Sequence, residues 1–258
     1  MKRVGCRVYN LSGQGLTSYQ EAWRWQKALS ERSSELYKRG EIVTDSLLLV
    51  QHSSTYSLGK GATPTNLKFK ADDSCPHDLF RVERGGEVTW HGPGQLVVYP
   101  IFNLNNHKKD LHWFTTQLEQ TSIETIGAFG IQGERSEVNT GVWVGRNKIS
   151  AVGLTASRWV TMHGIALNVS CDLSHFQQIV PCGIALPDRG VCSIHSELGG
   201  LEGAEAPNLP AVAQRWVRAF EAVFDLQMSE AEDTAVELAN LVAEYPLIAN
   251  TELVQFRT

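Results

Sequence analysis

The chain has 258 residues, of which 42% are hydrophobic, and a formal net charge of −5 at neutral pH. This length and hydrophobic content predict one domain with a full core. The acidic balance and the scattered Lys and Arg argue against a nucleic-acid partner. The sequence has no apolar run long enough to predict a membrane span, and its five cysteines include no CxxC pair, which favours free thiols in a reducing compartment.

The first half of the sequence predicts strands and two helices. Hydrophobic patterning predicts strands at 6–10, 46–51, 79–84 and 95–102. Ser18 and Asp110 are capping residues followed by apolar residues at helical spacing, so they predict helices that end at Gly40 and Gly130. The polar stretch 60–77 contains two prolines and predicts a surface loop.

The second half predicts a hairpin and further helices. The β-rich runs 140–144 and 149–154 are joined by a turn of three residues, Gly145-Arg146-Asn147, which predicts a hairpin with Lys148 at the start of its second strand. The remaining predictions are a strand at 164–169, a short helix at 174–179, a linker at 198–210, and helices at 212–224 and 229–244, the last stopped by Pro246. Strands mixed with helices and hairpins predict an α+β, or mixed α/β, fold.

A glycine-rich segment, 84–95, has four glycines in twelve residues. Such a density lets the backbone approach a ligand closely and adopt positive φ angles. It matches neither the dinucleotide fingerprint nor the phosphate loop. A tight hairpin remains an alternative, but Arg84, His91 and Gln95 are polar groups that a plain turn does not need, so the segment is a candidate binding site.

Three blocks of sequence resemble the lipoyl(octanoyl) transferase family. They are RGGEVTWHGPGQLVVYPI at 84–101, GVWVGRNKISAVGL at 141–154 and HGIALNVSCDLSHFQQIVPCGI at 163–184, and the likeness extends from Val8 to Leu198. The resemblance implies a fold similar to that of the biotin and lipoate protein ligases, a mixed sheet packed by helices. It also implies a catalytic domain at 1–198, with 199–258 as a linker and C-terminal helices packed on that domain.

The resemblance implies a nucleophile, Cys182, and a partner for it, Lys148. A free cysteine is largely protonated at neutral pH, so a neighbouring base or positive charge is needed to form the thiolate. An apolar setting would lower the lysine pKa, so that Lys148 could act as general base and then as general acid. Without the motif, an average cysteine is a buried hydrophobe and a hairpin lysine is a solvated side chain.

The family likeness also implies an acyl pocket. Its lining residues are Arg84, Gly85, Gly86, Glu87, Val88, Thr89, Trp90, His91, Ala151, Val152, Gly153, Gly164, Ile165 and Ala166. Two departures from the motif stand out. His52-Ser53-Ser54 replaces the usual His-Pro-Pro, and Trp90 replaces the usual tyrosine. These changes put the rigidity of the first loop and the shape or polarity of the pocket in question.

The implied reaction moves an octanoyl group from octanoyl–acyl carrier protein to a lysine of a lipoyl domain. The acceptors are the lipoyl domains of 2-oxoacid dehydrogenase E2 subunits and the H protein of glycine cleavage. No ATP, metal or other cofactor is expected, since the donor thioester on phosphopantetheine supplies the free energy. The expected compartment is a bacterial cytoplasm, or a mitochondrial or plastid matrix after removal of a presequence.

Three alternatives stay open at this point. An ATP-dependent lipoate or biotin protein ligase shares the fold, an amidotransferase between lipoyl domains shares the chemistry, and a fatty-acid-binding module would need no cysteine. Cys171 and Cys192 are interpreted as structural. His91 is expected to shape the pocket or contact substrate, and His163 to hold backbone geometry beside Gly164; no metal-ligand spacing includes either.

Overall fold

A computed structural model describes residues 3–71, 75, 77–137, 139–180, 189–199, 206–253 and 255–256. In these residues the chain forms strands and helices in mixed order. The strands are β1 (Val4–Asn10), β2 (Asp45–Val50), β3 (Thr55–Leu58), β4 (Asp78–Arg81), β5 (Val88–His91), β6 (Gln95–Ile101), β7 (Glu134–Arg135), β8 (Val142–Val144), β9 (Asn147–Ser157), β10 (Val160–Asn168), β11 (Gly190–Val191) and β12 (Leu226–Glu230). The helices are α1 (Tyr19–Lys38), α2 (Leu111–Gly127), α3 (Ile194–Leu198), α4 (Leu209–Phe224), α5 (Thr234–Ala243) and α6 (Pro246–Ala249).

One large mixed sheet organises the described part of the molecule. Its strand order is β12-β1-β2-β6-β10-β9-β8-β7, with β11 paired to β9. Strand β1 pairs in parallel with both β2 and β12, whereas β10 pairs antiparallel with β6 and β9. A smaller sheet has the order β4-β3-β5. Mixed pairing with helices on the sheet confirms the predicted α+β fold.

Helices cover both faces of the large sheet. On one face α2 and α4 bury Phe114, Leu118, Trp216 and Phe220 in the main apolar cluster. On the other face α1 and α5 contribute apolar residues to a second cluster. The small sheet has a third cluster, built around aromatic side chains of β3 and β5. The described helices include none that is long and apolar enough to cross a membrane.

The predicted helix starts are confirmed by their caps. Ser18 Oγ accepts a hydrogen bond from the Glu21 amide at 3.2 Å, and Asp110 Oδ1 accepts one from the Trp113 amide at 2.9 Å. Both bonds satisfy amides that have no partner within the first helical turn. The hairpin of β8 and β9 is also confirmed, with Gly145 at φ +55° in its turn.

The prediction of a helix over 229–244 is wrong at its start. Residues 226–230 form β12, which extends the large sheet beside β1, and the helix begins at Thr234 after a cap from Asp233. A short edge strand with mostly exposed side chains has no alternation that distinguishes it from a helix start. Pro246 lies just beyond that helix, as predicted, but it also opens a further short helix, α6, since proline is tolerated in a first helical turn.

Two strands of the small sheet were not predicted. β3 follows the loop that contains His52. β5 lies inside the glycine-rich segment, for which the sequence predicted a loop between two strands. Each has four residues, too few for a period-2 pattern to stand out. The strand predicted at 164–169 begins earlier, at Val160. Part of the predicted linker, 200–205, lies outside the described residues.

Candidate active site

A cavity of about 540 Å³ lies where β9 and β10 of the large sheet face β5 and the segment 84–87. It collects residues from all three sequence blocks. The predicted pocket residues that line it are Arg84, Gly85, Gly86, Glu87, Val88, Thr89, His91, Ala151, Val152, Gly153, Gly164, Ile165 and Ala166, and the predicted catalytic residue Lys148 lines it as well. Blocks that lie some 80 residues apart in sequence (84–101 and 163–184) therefore meet around one space.

Glycines form part of the wall because the backbones there are in close contact. A Cβ at Gly164 would lie 2.1 Å from the Val98 carbonyl oxygen, and a Cβ at Gly153 would lie 3.1 Å from Arg84 Cδ. The amide of Gly85 donates to the Leu154 carbonyl at 2.9 Å, which ties the glycine-rich segment to β9. A side chain at Gly164 would therefore force the two strands apart.

Lys148 is a buried lysine in the cavity wall, with 6% of its surface exposed. Its Nζ lies 4.9 Å from the centre of the Trp143 ring. The Arg189 guanidinium lies 5.0 Å from the same ring. An indole face attracts cations, so Trp143 holds two basic groups at this end of the cavity.

Glu119 of α2 is a buried carboxylate behind the same region. It accepts a hydrogen bond from the Gly141 amide at 2.8 Å, and the Arg135 guanidinium lies 3.6 Å away. Burial raises the pKa of Glu119, an effect that the Gly141 hydrogen bond and the positive charges of Arg135 and Lys148 oppose. A Cβ at Gly141 would lie 3.4 Å from the stem of Lys148, so the segment that Glu119 holds packs on that lysine.

Cys182 and its neighbours, residues 181–188, lie outside the described residues. Immediately before this segment, the Val180 amide donates a hydrogen bond of 2.8 Å to the Asn66 carbonyl. Shortly after this segment, β11 pairs in parallel with β9, and Val191 lies opposite Lys148. The Cys192 amide then donates to the Lys148 carbonyl at 3.1 Å.

The described cysteines include three poor nucleophiles. Burial raises the pKa of Cys6 well above its ordinary value and raises the pKa of Cys171 to about 12. Burial also raises the pKa of Cys192. A thiol with a raised pKa is protonated at neutral pH and reacts slowly, in keeping with the structural interpretation of Cys171 and Cys192.

Arg84 and His91 form a hydrogen-bonded wall on the small sheet. Arg84 Nη2 donates to the Ser57 carbonyl at 2.6 Å and to Ser57 Oγ at 3.0 Å. His91 Nε2 lies 3.2 Å from the same hydroxyl, and its Nδ1 lies 2.8 Å from Gln95 Oε1. Burial, followed by the charges of His52 and Arg84, holds the pKa of His91 well below its ordinary value. The imidazole is therefore neutral at physiological pH.

Several residues of the cavity wall were not predicted. Tyr19 and Tyr99 are buried aromatic residues of α1 and β6, and Asn168 accepts from Gln95 Nε2 at 3.0 Å. His163 also lines the cavity. Tyr99 and Asn168 lie inside the sequence blocks that resemble the family, so those blocks could have identified them as candidate wall residues. Tyr19 lies in an amphipathic helix, where an aromatic residue is expected to pack in the hydrophobic core.

The structure places Trp90 away from the cavity. The side chain is buried in the cluster of the small sheet, where it stacks on His175 with ring centres 4.6 Å apart. Its neighbours Thr89 and His91 line the cavity, since successive side chains of a strand point to opposite faces. Across the part of the chain that the structure describes, no group of three or more His, Cys, Asp or Glu could hold a metal ion.

Comparison with known structures shows the fold. The chain resembles lipoate-protein ligase A bound with ATP at a TM-score of 0.65 and 13% identity, covering 96% of this chain and 95% of that one. It resembles a bi-partite lipoate protein ligase of Thermoplasma acidophilum, studied with its E2 lipoyl domain, at a TM-score of 0.63 and 14% identity, covering 96% and 93%. These likenesses confirm the predicted mixed sheet packed by helices.

Comparison of sequences shows the family. Residues 18–221 match the lipoyl protein ligase A/B catalytic domain. A chloroplastic octanoyltransferase of Arabidopsis thaliana is 43% identical over 87% of this chain and 81% of its own. An octanoyltransferase of Nostoc punctiforme is 42% identical over 88% of this chain and 92% of its own. The chain therefore belongs to the octanoyltransferases, acyltransferases of the lipoyl protein ligase A/B superfamily.

Proposed function

We propose that the protein transfers an octanoyl group from octanoyl–acyl carrier protein to a lysine of a lipoyl domain, through a thioester on Cys182. The relatives named octanoyltransferases support the acyl group and the reaction class. The observation that carries the mechanism is the buried side chain of Lys148, in the wall of a cavity that apolar residues and glycines line together with polar groups. A buried amine, whose pKa burial lowers, can exchange protons with a neighbouring thiol.

In the first half-reaction, neutral Lys148 takes the proton of the Cys182 thiol. The thiolate attacks the carbonyl carbon of the donor thioester, a new C–S bond forms, and the bond to the phosphopantetheine sulfur breaks. The lysine ammonium returns its proton to that sulfur. One thioester replaces another, so this step needs no external energy source.

In the second half-reaction, an amine of the acceptor attacks the acyl-enzyme. Neutral Lys148 takes a proton from the incoming amine, an amide bond forms, and the bond to the Cys182 sulfur breaks. The lysine then returns the proton to the cysteine. Amide formation from a thioester is downhill, so neither ATP nor a metal is required.

Both steps develop negative charge on the acyl oxygen. Backbone amides of the glycine-rich segment can approach that oxygen closely because no Cβ intervenes, and Gly85 and Gly86 line the cavity. Removing one such donor in other enzymes costs about 3–4 kcal/mol of transition-state stabilisation.

The acceptors proposed are lipoyl domains of 2-oxoacid dehydrogenase E2 subunits and the glycine cleavage H protein. The likeness to a ligase studied with its E2 lipoyl domain supports this class of partner. The compartment proposed is the bacterial cytoplasm or an organelle matrix. Chloroplastic and cyanobacterial relatives favour a plastid or its bacterial counterpart.

A single assay separates this function from the ligase alternative. Purified protein is incubated with a lipoyl domain and one of three donors: octanoyl–acyl carrier protein without ATP, free octanoate with ATP, or a lipoylated domain without ATP. Acylation in the first mixture only is expected. Acylation that requires ATP would show a ligase, and acylation from a lipoylated domain as sole donor would show an amidotransferase.

The thioester is tested by intact-protein mass spectrometry with donor and no acceptor. An octanoyl adduct on Cys182 is expected in the wild type and absent in Cys182→Ser. Wild-type turnover by Cys182→Ser would contradict the proposed nucleophile and leave the transferase assignment standing.

A further inference from the structure

Arg189 immediately precedes β11, a short strand that pairs in parallel with β9 and places Val191 opposite Lys148. The Cys192 amide donates to the Lys148 carbonyl at 3.1 Å, and the Cys192 carbonyl accepts from Asn168 Nδ2 at 2.9 Å. These bonds hold the main chain that carries Arg189 against the strand that carries Lys148. The position of Arg189 is therefore set by strand pairing.

The indole of Trp143 holds the charged groups of both residues. The ring is buried, with 2% of the residue exposed, and its Nε1 donates to the Asn139 carbonyl at 3.1 Å. Lys148 Nζ lies 4.9 Å from the ring centre, and the guanidinium carbon of Arg189 lies 5.0 Å from it. The two charged groups are thus no more than about 10 Å apart. Because an indole face attracts cations, this contact keeps the guanidinium in place.

A guanidinium at this distance disfavours the ammonium form of Lys148. Arginine stays protonated in proteins, whereas a buried lysine can lose its proton. Lys148 is only 6% exposed, so water and salt screen the repulsion weakly. At an effective dielectric constant of about 20, two unit charges about 10 Å apart change a pKa by about one unit. The direction is downward for Lys148, because the neutral amine avoids the repulsion.

Other titratable and charged groups also surround Lys148, on the elements packed around it. They are Glu119 and His112 of α2, Glu134 and Arg135 of β7, Arg146 of the turn between β8 and β9, and Glu87 of the glycine-rich segment. Arg84 and His91 lie on the small-sheet wall of the same cavity. The charge state of Lys148 therefore depends on carboxylates as well as on cations.

Glu119 is the carboxylate that opposes Arg189, because a negative charge favours the ammonium form of a nearby lysine. Three features reduce its effect: burial raises its pKa, it accepts from the Gly141 amide at 2.8 Å, and the Arg135 guanidinium lies 3.6 Å away. Among the residues that the structure describes, no carboxylate forms an ion pair with Arg189. The charge of Glu119 is thus partly balanced locally, whereas in this part of the chain the charge of Arg189 is not.

We propose that Arg189 is a positioning residue of the transfer reaction: its charge, held on Trp143, keeps the Lys148 amine neutral and able to accept a proton. This inference rests on the proposed function in taking Lys148 as the general base. Arg189 acts through Lys148 and not on the acyl group. The bonds made and broken are unchanged without it; the fraction of enzyme in which Lys148 can take the Cys182 proton falls.

The pH dependence of kcat/KM tests this role in the wild type, Arg189→Gln and Arg189→Lys. We expect the acid limb of Arg189→Gln to move up by about one pH unit, a loss of about ten-fold on that limb, with no loss on the plateau above it. Arg189→Lys retains a positive charge and is expected to keep the wild-type limb. A residue that only supported the fold would lower kcat/KM equally at every pH. Circular dichroism of each variant is the folding control.

Arg158→Gln is the matched control for the loss of one positive charge. Arg158 lies ten residues beyond Lys148, just after the end of β9, which is about 30 Å at about 3.3 Å per residue. Its φ of +52° is equally strained for arginine and glutamine. The acid limb is expected to stay in place, because about 30 Å exceeds the Debye length of about 8–10 Å at physiological ionic strength.

The titration of Lys148 itself requires no transfer, so it separates this inference from the proposed function. Protein labelled with carbon-13 at the lysine Cε atoms is titrated by NMR, and the Lys148 resonance is assigned by its absence from Lys148→Met. We expect a wild-type pKa below the value of about 10.4 for an unperturbed lysine, and a pKa about one unit higher in Arg189→Gln. These two results in a protein that transfers no octanoyl group would contradict the proposed function alone.

Four results would overturn the role of Arg189. A wild-type Lys148 pKa at or above about 10.4 is the first, and it needs no variant of Arg189. An acid limb that stays in place in Arg189→Gln is the second, whether or not kcat/KM falls equally at every pH. An acid limb in Arg189→Lys that matches that of Arg189→Gln is the third. A shift of the same size in Arg158→Gln is the fourth.

Discussion

The indole Nε1 of Trp90 donates a hydrogen bond of 2.8 Å to Ser54 Oγ. These are two positions at which the sequence departs from the motif of the family, which usually has tyrosine and proline there. Proline has no hydroxyl to accept this bond. The two departures therefore meet in one contact, outside the cavity, and their effect is on the packing of the small sheet.

A double-mutant cycle on Ser54→Ala and Trp90→Phe should show coupling. Each single change leaves the other partner without its hydrogen bond, so we expect each to lower the free energy of unfolding and their coupling energy to be about 1 kcal/mol. Urea unfolding of the four proteins measures it. Strict additivity, or a change in acyl-chain preference in Trp90→Phe, would contradict the placement of Trp90 in the small-sheet cluster.

Gly164→Ala should destabilise the protein by about 3 kcal/mol, because the new Cβ would lie 2.1 Å from the Val98 carbonyl oxygen, in a close strand contact that cannot yield. Gly127→Ala is the matched control. It lies near the end of α2 with no atom within 4 Å of its Cβ position and should be neutral or stabilising by up to ~1 kcal/mol. Equal effects in thermal unfolding would refute the steric argument.

Replacing Lys148 tests its role in proton transfer. Lys148→Met keeps an unbranched apolar side chain against Trp143, so the fold should persist, while kcat/KM should fall by about 10²–10⁴-fold. Lys148→Arg should not restore activity, because a guanidinium is not deprotonated in proteins. Steady-state transfer assays with circular dichroism as the folding control decide this. A Lys148→Arg enzyme close to wild-type activity would rule out the general-base role.

The stability of the protein should fall as the pH falls from about 6.5 to 4. His52 is fully buried between Thr17 and Tyr99, and burial lowers its pKa to about 4. In this window the unfolded chain binds a proton at His52 that the folded chain does not, so the free energy of unfolding decreases as the pH is lowered. The total contribution of this residue is about 3 kcal/mol, at 1.36 kcal/mol per pKa unit.

The control for this pH dependence is His52→Asn, which retains an N–H donor for the Thr17 carbonyl and has no group that titrates. The difference between wild type and variant, measured by urea unfolding at pH 7.5, 6 and 5, isolates the histidine. A difference that does not change with pH would show that His52 is not the group responsible.

Glu119 should act on the segment beside Lys148 through its hydrogen bond to the Gly141 amide. Glu119→Gln keeps a side-chain oxygen as acceptor, whereas Glu119→Ala leaves a buried amide unpaired and should cost about 1–3 kcal/mol. We expect Glu119→Ala to lose more stability and more kcat than Glu119→Gln, measured by thermal unfolding and transfer assays. Equal losses in the two variants would assign the effect to the charge of Glu119 and not to the hydrogen bond.

Local sequence signals predicted much of the fold. The caps at Ser18 and Asp110, the hairpin around Gly145 and the apolar strands depend on residues close together in the chain, and the structure confirms each of them. β12 was mistaken for a helix start because its pairing with β1 joins residues some 220 positions apart, as in Val4 with Leu226. No local pattern reports such a contact.

The sequence by itself determined the family, the mixed fold and many of the residues that line the cavity, because the motif blocks contain both the backbone-packing glycines and several of the polar groups. Only the tertiary structure decided where each side chain points. Strand alternation directs Trp90 out of the cavity and His91 into it, and the left-handed backbone at His163 in β10 places its imidazole in the wall, 3.4 Å from Glu83. These outcomes depend on packing between distant segments, which fixes side-chain orientation after the local elements have formed.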